Sequence, residues 1–193
     1  MNKKSIPLIV FILVALVQLS VPAKMIYDKE DTLATGKPFK FKTVPIDPED
    51  PFRGKYITLR FTENSIQLQK KDEWSSNETV YLLLETDSQG FAKINAVSKV
   101  KPFNNPDYVK AKVDYRTYSD SVRLFITYPF ERFYMDETKS HAVEQIYQKS
   151  LMDTSNVTYA LVNIKGGDAV IKDILINGVS IHEIVKAANK TGN

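Results

Sequence analysis

Hydrophobic and polar positions divide this chain into two unlike parts. From Ser5 to Ala23 no residue is charged, and the apolar run Ile6 to Val21 is interrupted by Pro7, Gln18 and Ser20 alone. Such a run approaches the roughly 20 residues that cross a bilayer core and exceeds the about 7–15 of a signal-peptide core, so it predicts a transmembrane helix. Residues 1–24 then form a membrane anchor and 25–193 an exported domain. Val21-Pro-Ala23 resembles the small-residue pattern that signal peptidase reads, and Pro7 and Gln18 weaken a spanning helix. Secretion after cleavage near Ala23 is therefore the alternative.

Beyond Lys24 the sequence turns polar and its period changes. Tyr, Phe, Val, Ile and Thr recur in short alternating runs broken by Pro, Gly, Asn and Asp, which is how antiparallel sheets read. Pro38 to Val44 places Phe39 and Phe41 on one face and Lys40 and Lys42 on the other, and Tyr56 to Phe61 points Ile57, Leu59 and Phe61 inward. Between them, the three prolines of Pro45-Ile-Asp-Pro-Glu-Asp-Pro51 remove ladder donors and predict an ordered loop or crossover. Thr79 to Glu85 and Phe91 to Val100 predict a hairpin whose turn draws its positive φ from Gly90, and Tyr108 to Arg116 with Val122 to Tyr128 predicts a second. The segment Lys101-Pro-Phe-Asn-Asn-Pro106 joins the two pairs, so a two-lobed body would divide near 101–107.

Ala142, Val143, Ile146, Tyr147 and Leu151 recur at three- and four-residue steps, which predicts an amphipathic helix near 139–152. Val157 to Ile164 and Ala169 to Ile176 predict a tight hairpin around Gly166-Gly167, followed by an Asn177-Gly178 turn and a short helix from Ile181 to Lys190. The fold class is therefore mainly β. Antiparallel sheets form a barrel-like body that carries one amphipathic helix and is preceded by a transmembrane helix.

Composition adds a compartment and removes some partners. The chain has 26 Lys and Arg against 23 Asp and Glu; setting aside Lys3 and Lys4, which the positive-inside bias holds in the cytoplasm, leaves 24 against 23. Nucleic acid is not expected as a partner, because phosphate-backbone binding needs clustered basic residues and here the signs alternate. Lys99-Val-Lys101 and Lys110-Ala-Lys112 are short basic patches at strand-like spacing that read as a solvated sheet face, with a polyanion site as the alternative. With no Cys there is no lipoprotein acylation, disulfide or Cys-ligated zinc.

Candidate chemistry is sparse. The two histidines, His141 and His182, lie far from any glycine-framed serine, so no Ser-His arrangement is visible. A serine-lysine pair, or carboxylates such as Glu137 and Glu144, are the routes left to a hydrolytic enzyme. His182-Glu183 lacks the second histidine of a zinc pair, and no metal or cofactor site is read. Asp47 and Asp50 stand beside Arg53 with too few ligands for a calcium loop, and bidentate pairing with Arg53 suits them better. Trp74 reads as a cover over the end of the sheet, with ligand stacking as the alternative.

Asp47-Pro-Glu-Asp-Pro-Phe-Arg-Gly-Lys-Tyr-Ile-Thr-Leu-Arg-Phe61 resembles the signature of the GDYXXLXY family of bacterial membrane-anchored proteins. Its Arg-Gly-Asp-Tyr-x-x-Leu-x-Tyr pattern maps onto Arg53, Gly54, Tyr56, Leu59 and Phe61. Lys55 stands where the family's Asp would be, which argues against catalytic duty there, and Phe61 replaces the final Tyr. Glu131-Arg-Phe-Tyr-Met-Asp-Glu137 with Val143-Glu144 is similar to a family strand that leads into a helix, and Ala169 to Gly178 resembles its closing strand and turn. The likeness implies an exported domain tethered by one helix, of uncharacterised role, often encoded beside multi-spanning membrane proteins.

The expected function is thus a single-pass inner-membrane protein whose periplasmic domain docks on a polytopic membrane partner. The loop Pro45 to Gly54 is the first candidate surface, and Arg132, Tyr134, Glu137 and Glu144 form the second, although an architectural role, with Arg53 and Arg132 paired to acidic neighbours and Gly54 bending the chain, is the favoured reading of both. A hydrolase or a small-ligand module is the alternative.

Overall fold

The computed structural model describes residues 6–44, 56–68, 73–103, 105–118, 122–134, 137–153 and 155–191. It opens with helix α1 (Ile6–Thr35), followed by strands β1 (Lys37–Val44), β2 (Tyr56–Thr58), β3 (Arg60–Phe61), β4 (Ser65–Leu68), β5 (Thr79–Thr86), β6 (Ala92–Ser98), β7 (Tyr108–Tyr118), β8 (Val122–Thr127) and β9 (Arg132–Tyr134). Helix α2 (Glu137–Met152), strands β10 (Thr158–Lys165), β11 (Asp168–Ile176) and β12 (Val179–Ser180), and helix α3 (Ile181–Thr191) complete it. The strands pair as one sheet in the order β12-β11-β10-β1-β3, a second in the order β4-β8-β7-β5-β6, and a short β2-β9 ladder. Every ladder between these strands is antiparallel, and one sheet is nearly closed into a barrel.

Helix α1 is longer than the apolar run alone predicts. It passes through Pro22 and continues for twelve residues beyond Ala23, where strand-like sequence was expected. Pro22 removes one intrahelical donor, and in the turn before it Ser20 Oγ donates to the Val17 carbonyl at 2.7 Å. Past Lys24 the helix is carried by Lys24 to Asp28 at 2.8 Å and by Thr35 Oγ1, which donates to the Asp31 carbonyl. No glycine or proline interrupts it until Gly36.

Two further expectations change. The single strand over 56–61 is split at Leu59 because its ladder partner switches: Ile57 pairs with Phe133 of β9, Leu59 N donates to Glu131 O, and Phe61 pairs with Thr43 of β1. The segment 101–107 does not separate two sheets. It links β6 to β7, which flank β5 in the same sheet, with Tyr81 of β5 opposite both Ser98 and Lys110. The turn glycines behave as read, with φ of 85° at Gly90 and 53° and 86° at Asn177 and Gly178.

Strand β1 follows the helix after one residue, and its alternation buries Phe39 and Phe41 while Lys40 stays out. Phe41 meets Phe61, Tyr128 and Phe130 edge-on at centroid distances of 5.5, 5.4 and 5.1 Å, an aromatic knot that joins β1 and β3 to the end of β8. Each such ring pair is worth about 0.5–1.5 kcal/mol beyond its buried area. β10 lies between β1 and β11 and is buried on both faces, hence its run Ala160-Leu-Val-Asn-Ile164. On α2, Val143 and Tyr147 are fully buried, and on α3 Ile181 and Val185. Buried hydroxyls tie α2 to the sheet: Thr158 Oγ1 bonds Ser150 Oγ at 3.0 Å, and Thr43 Oγ1 donates to Thr158 O.

Gly36 is the joint between helix and sheet. Its N–H donates to Thr32 O at 2.9 Å, and a Cβ there would collide with that same carbonyl oxygen and lie 3.0 Å from the Ile164 amide nitrogen. Backbone on both sides cannot move aside. Gly36→Ala is expected to cost about 1–3 kcal/mol, read as a lower urea midpoint of the detergent-solubilised protein.

Candidate functional site

Two of the sequence-derived candidate groups come together on the β2-β9 ladder. Tyr56 lies opposite Tyr134 with ring centroids 5.5 Å apart, and the Arg132 guanidinium carbon sits 4.9 Å from the centre of the Tyr56 ring. Tyr134 and Arg132 are exposed, and Tyr56 is half-buried beneath them. Leu59 and Phe61, the remaining described positions of the motif, point the other way into the core. The motif therefore does two jobs: alternate residues anchor the strand and display one aromatic outward. Asp47, Asp50, Arg53 and Gly54 lie outside the described residues, as does their expected pairing.

Glu137 begins α2, and Glu144 lies two turns further on, half-buried. His182 packs its ring 5.8 Å from Phe133, beside the same ladder. Among the described residues no lysine amine bonds a serine hydroxyl. Lys165 Nζ reaches Thr35 Oγ1 at 2.8 Å and Asp31 at 2.6 Å, so its partners are a threonine and a carboxylate rather than a serine. No group of three His, Asp or Glu with metal-binding geometry occurs among the described residues.

Beneath the ladder, Glu131 is a carboxyl in a costly place. Burial pushes its pKa up, and Asp114 adds to that, while the bond from the Tyr128 N–H, together with Arg60 and Arg132, pulls it down. A carboxyl whose folded pKa exceeds its unfolded value loses stability as pH rises through that interval, because the unfolded chain ionises first. Trp74 is buried, as a cover over the sheet would be. Lys99 Nζ lies 4.9 Å from its ring centre and also pairs with Glu78 at 2.9 Å.

A second concavity gathers residues that the sequence keeps far apart. A pocket of about 300 Å³ is lined by Lys29 of α1, Tyr81 of β5, Lys101 after β6, Tyr108 and Lys110 of β7, and the β10-β11 turn from Gly166 to Ala169. Tyr108 forms its floor: the hydroxyl donates to Gly166 O at 2.6 Å, and the ring lies where a Gly167 Cβ would be, 2.6 Å from Cε2. Lys110 N donates to Gly167 O, which stitches the second sheet to this turn. Sequence reading placed Lys101 and Lys110 on a solvated face and did not single out Lys29, Tyr81 or Tyr108. At least five separate segments build the site, so no local spacing could announce it.

This is a β-rich domain preceded by a helix long and apolar enough to cross a membrane, with an aromatic-basic ladder on its surface. The chain belongs to the GDYXXLXY protein family, whose family model matches residues 18–174. No curated protein and no solved structure matches it.

Two measurements follow. Glu131→Gln keeps the acceptor for Tyr128 N–H and removes the buried charge, so it should raise the melting temperature at pH 7, with the gain fading near about pH 4. Arg132→Ala should lose the contact over Tyr56 and lower stability by about 0.5–1 kcal/mol in chemical denaturation.

Proposed function

We propose that this protein is a membrane-anchored, extracytoplasmic domain that docks on a polytopic membrane partner. The observation that carries the reading is the rigid tether. Apolar side chains are exposed along α1 from Ile9 to Tyr27, with Tyr27 70% exposed, so the body covers none of this length. The uncharged length from Ile6 to Ala23 measures about 27 Å at 1.5 Å per residue, close to a hydrocarbon core of about 30 Å. The same helix then enters the body without a linker and is clamped to the β10-β11 hairpin. Lys29 pairs with Asp168 at 3.3 Å, Asp31 with Lys165 at 2.6 Å, and Asn163 Nδ2 donates to Leu33 O at 2.7 Å.

Exposed ion pairs add little stability singly, but these two together with the part-buried Asn163 bond fix both angle and height. A catalyst for diffusing substrates gains little from a fixed pose, whereas docking on a neighbour in the same membrane avoids the ordering cost of a flexible linker. The tether also favours retention over cleavage. A peptidase must take its substrate extended, and Val21 to Ala23 lies inside the helix, with further turns on either side. Retention with Lys3 and Lys4 in the cytoplasm sends the body to the periplasmic side of the inner membrane. Tyr134 and Arg132, exposed beside Tyr56, have the composition of an interface anchor, and the loop Pro45 to Gly54 leads into the same ladder.

The test is site-specific photo-crosslinking from position 134 in native membranes. An adduct with an integral membrane protein, retained after alkaline carbonate washing, is expected. Recovery of the domain in the soluble fraction at reduced mass, or of no membrane-protein adduct, would refute the docking reading.

A further inference from the structure

We infer that the pocket between α1, β7 and the β10-β11 turn holds the phosphate of an anionic lipid in the leaflet from which α1 emerges. The inference rests on α1 remaining in the membrane, as proposed above. Height along the helix sets the argument. Lys29 lies two residues past Tyr27, the last exposed apolar residue of α1, and six past Ala23, where the uncharged run ends, which is about 3–9 Å of helical rise. The polar layer of each leaflet is about 5–8 Å deep, so a lysine side chain at this height reaches the headgroups.

Its charge suits a phosphate. Lys29, Lys101 and Lys110 approach from three elements and face the single carboxylate of Asp168. Asp168 is engaged with Lys29 on one side, at 3.3 Å, and Lys29 Nζ also reaches the Ala169 carbonyl. The ammonium groups of Lys101 and Lys110 have no acidic partner within ion-pair distance among the described residues, so their charge faces the cavity unbalanced. The Tyr81 ring meets Tyr108 edge-on at 5.8 Å and forms a wall. Lys99 is different: it turns to Glu78 and Trp74 and takes no part.

A second observation selects a lipid over a free anion. The loop that carries Lys101 exposes Val100 by 74% and Phe103 completely, with nothing among the described residues to cover them. Apolar and aromatic side chains interleaved with lysine are the composition of a segment seated at a membrane surface. The loop is held at that level from behind, because Asp107 at its far end pairs with Lys37, just past the helix. A basic pocket at headgroup height, with an exposed phenylalanine two residues beyond one of its lysines, thus has a phosphodiester as its complement and the acyl boundary as the seat of Phe103. Bound lipid would add a second point of attachment and stop rotation of the body about the helix axis.

Native mass spectrometry of the full-length protein in detergent tests this with phosphatidylglycerol, phosphatidylcholine and inorganic phosphate as probes. Phosphatidylglycerol adducts should exceed phosphatidylcholine adducts by about tenfold. They should fall to the phosphatidylcholine level in the Lys101→Ala/Lys110→Ala variant, whose circular dichroism and melting should match wild type because both side chains are exposed. Equal adducts of the two lipids, or adducts unchanged by the double substitution, would overturn the inference. Displacement by millimolar inorganic phosphate would overturn the lipid assignment in favour of a free-anion site. In nanodiscs of brominated phosphatidylglycerol, Phe103→Trp should add fluorescence that is quenched, against a wild type whose buried Trp74 is not; unquenched emission would refute insertion of the loop. The intact mass, 22.0 kDa, reports in the same spectrum whether the N-terminal segment is retained, which separates failure of the anchor from failure of the pocket.

Discussion

At Gly36 the chain passes from a helix whose apolar length is exposed to the middle of a sheet in one residue, and the position of the body relative to that helix follows from the joint. The passage works because the Gly36 N–H completes the last helical turn on Thr32 while its missing Cβ lets the Ile164 backbone approach. β1 then has no freedom in register: Lys37 pairs with Ile164 and each following residue with the next along β10. β10 is buried on both faces, with β11 on its other edge, and the β10-β11 hairpin is the surface to which the end of α1 is clamped. Helix and sheet hold each other by chain continuity at one end and by side-chain pairs along their length.

This arrangement gathers polar chemistry at one end of the body. The β10-β11 turn, the start of β7 and the loop after β6 all cluster at the end of the body where α1 leaves, because Tyr108 packs under Gly166-Gly167 and Lys37 reaches Asp107. The aromatic-basic ladder of Tyr56, Tyr134 and Arg132 belongs to a different pairing, β2 with β9, which forms only because the strand changes partner at Leu59. Two surfaces of distinct character thus sit on one rigid frame.

The alternation of large apolar and polar residues reported strands wherever one face is wet and the other packed, as in Phe39 and Phe41 against Lys40, and the three- and four-residue spacing reported α2 and α3. Positive φ at Asn177 and Gly178 was legible because few other residue pairs accept it. The helical extension from Lys24 to Thr35 was not legible, since its polar residues make it neither lipid-like nor clearly amphipathic until β10 and β11 supply the surface it packs on. The split at Leu59 escaped for a similar reason: inward alternation continues unbroken through 56–61, and alternation says which face a residue takes but not which neighbour it bonds.

The candidate site divides in the same way. Tyr56, Arg132 and Tyr134 could be named from a family-like motif, but their contact required the ladder. Lys101 and Lys110 read only as parts of a solvated face and Lys29 carried no signal, because at least five separate segments converge on the pocket. By itself the sequence determined what can be read within a few residues: an uncharged run of bilayer length, strand and helix periods, and the turns that glycine and asparagine allow. Only the tertiary structure decided which strand bonds which, how far the first helix runs, and which distant lysines share a cavity, because those outcomes depend on surfaces that do not exist until the chain has folded.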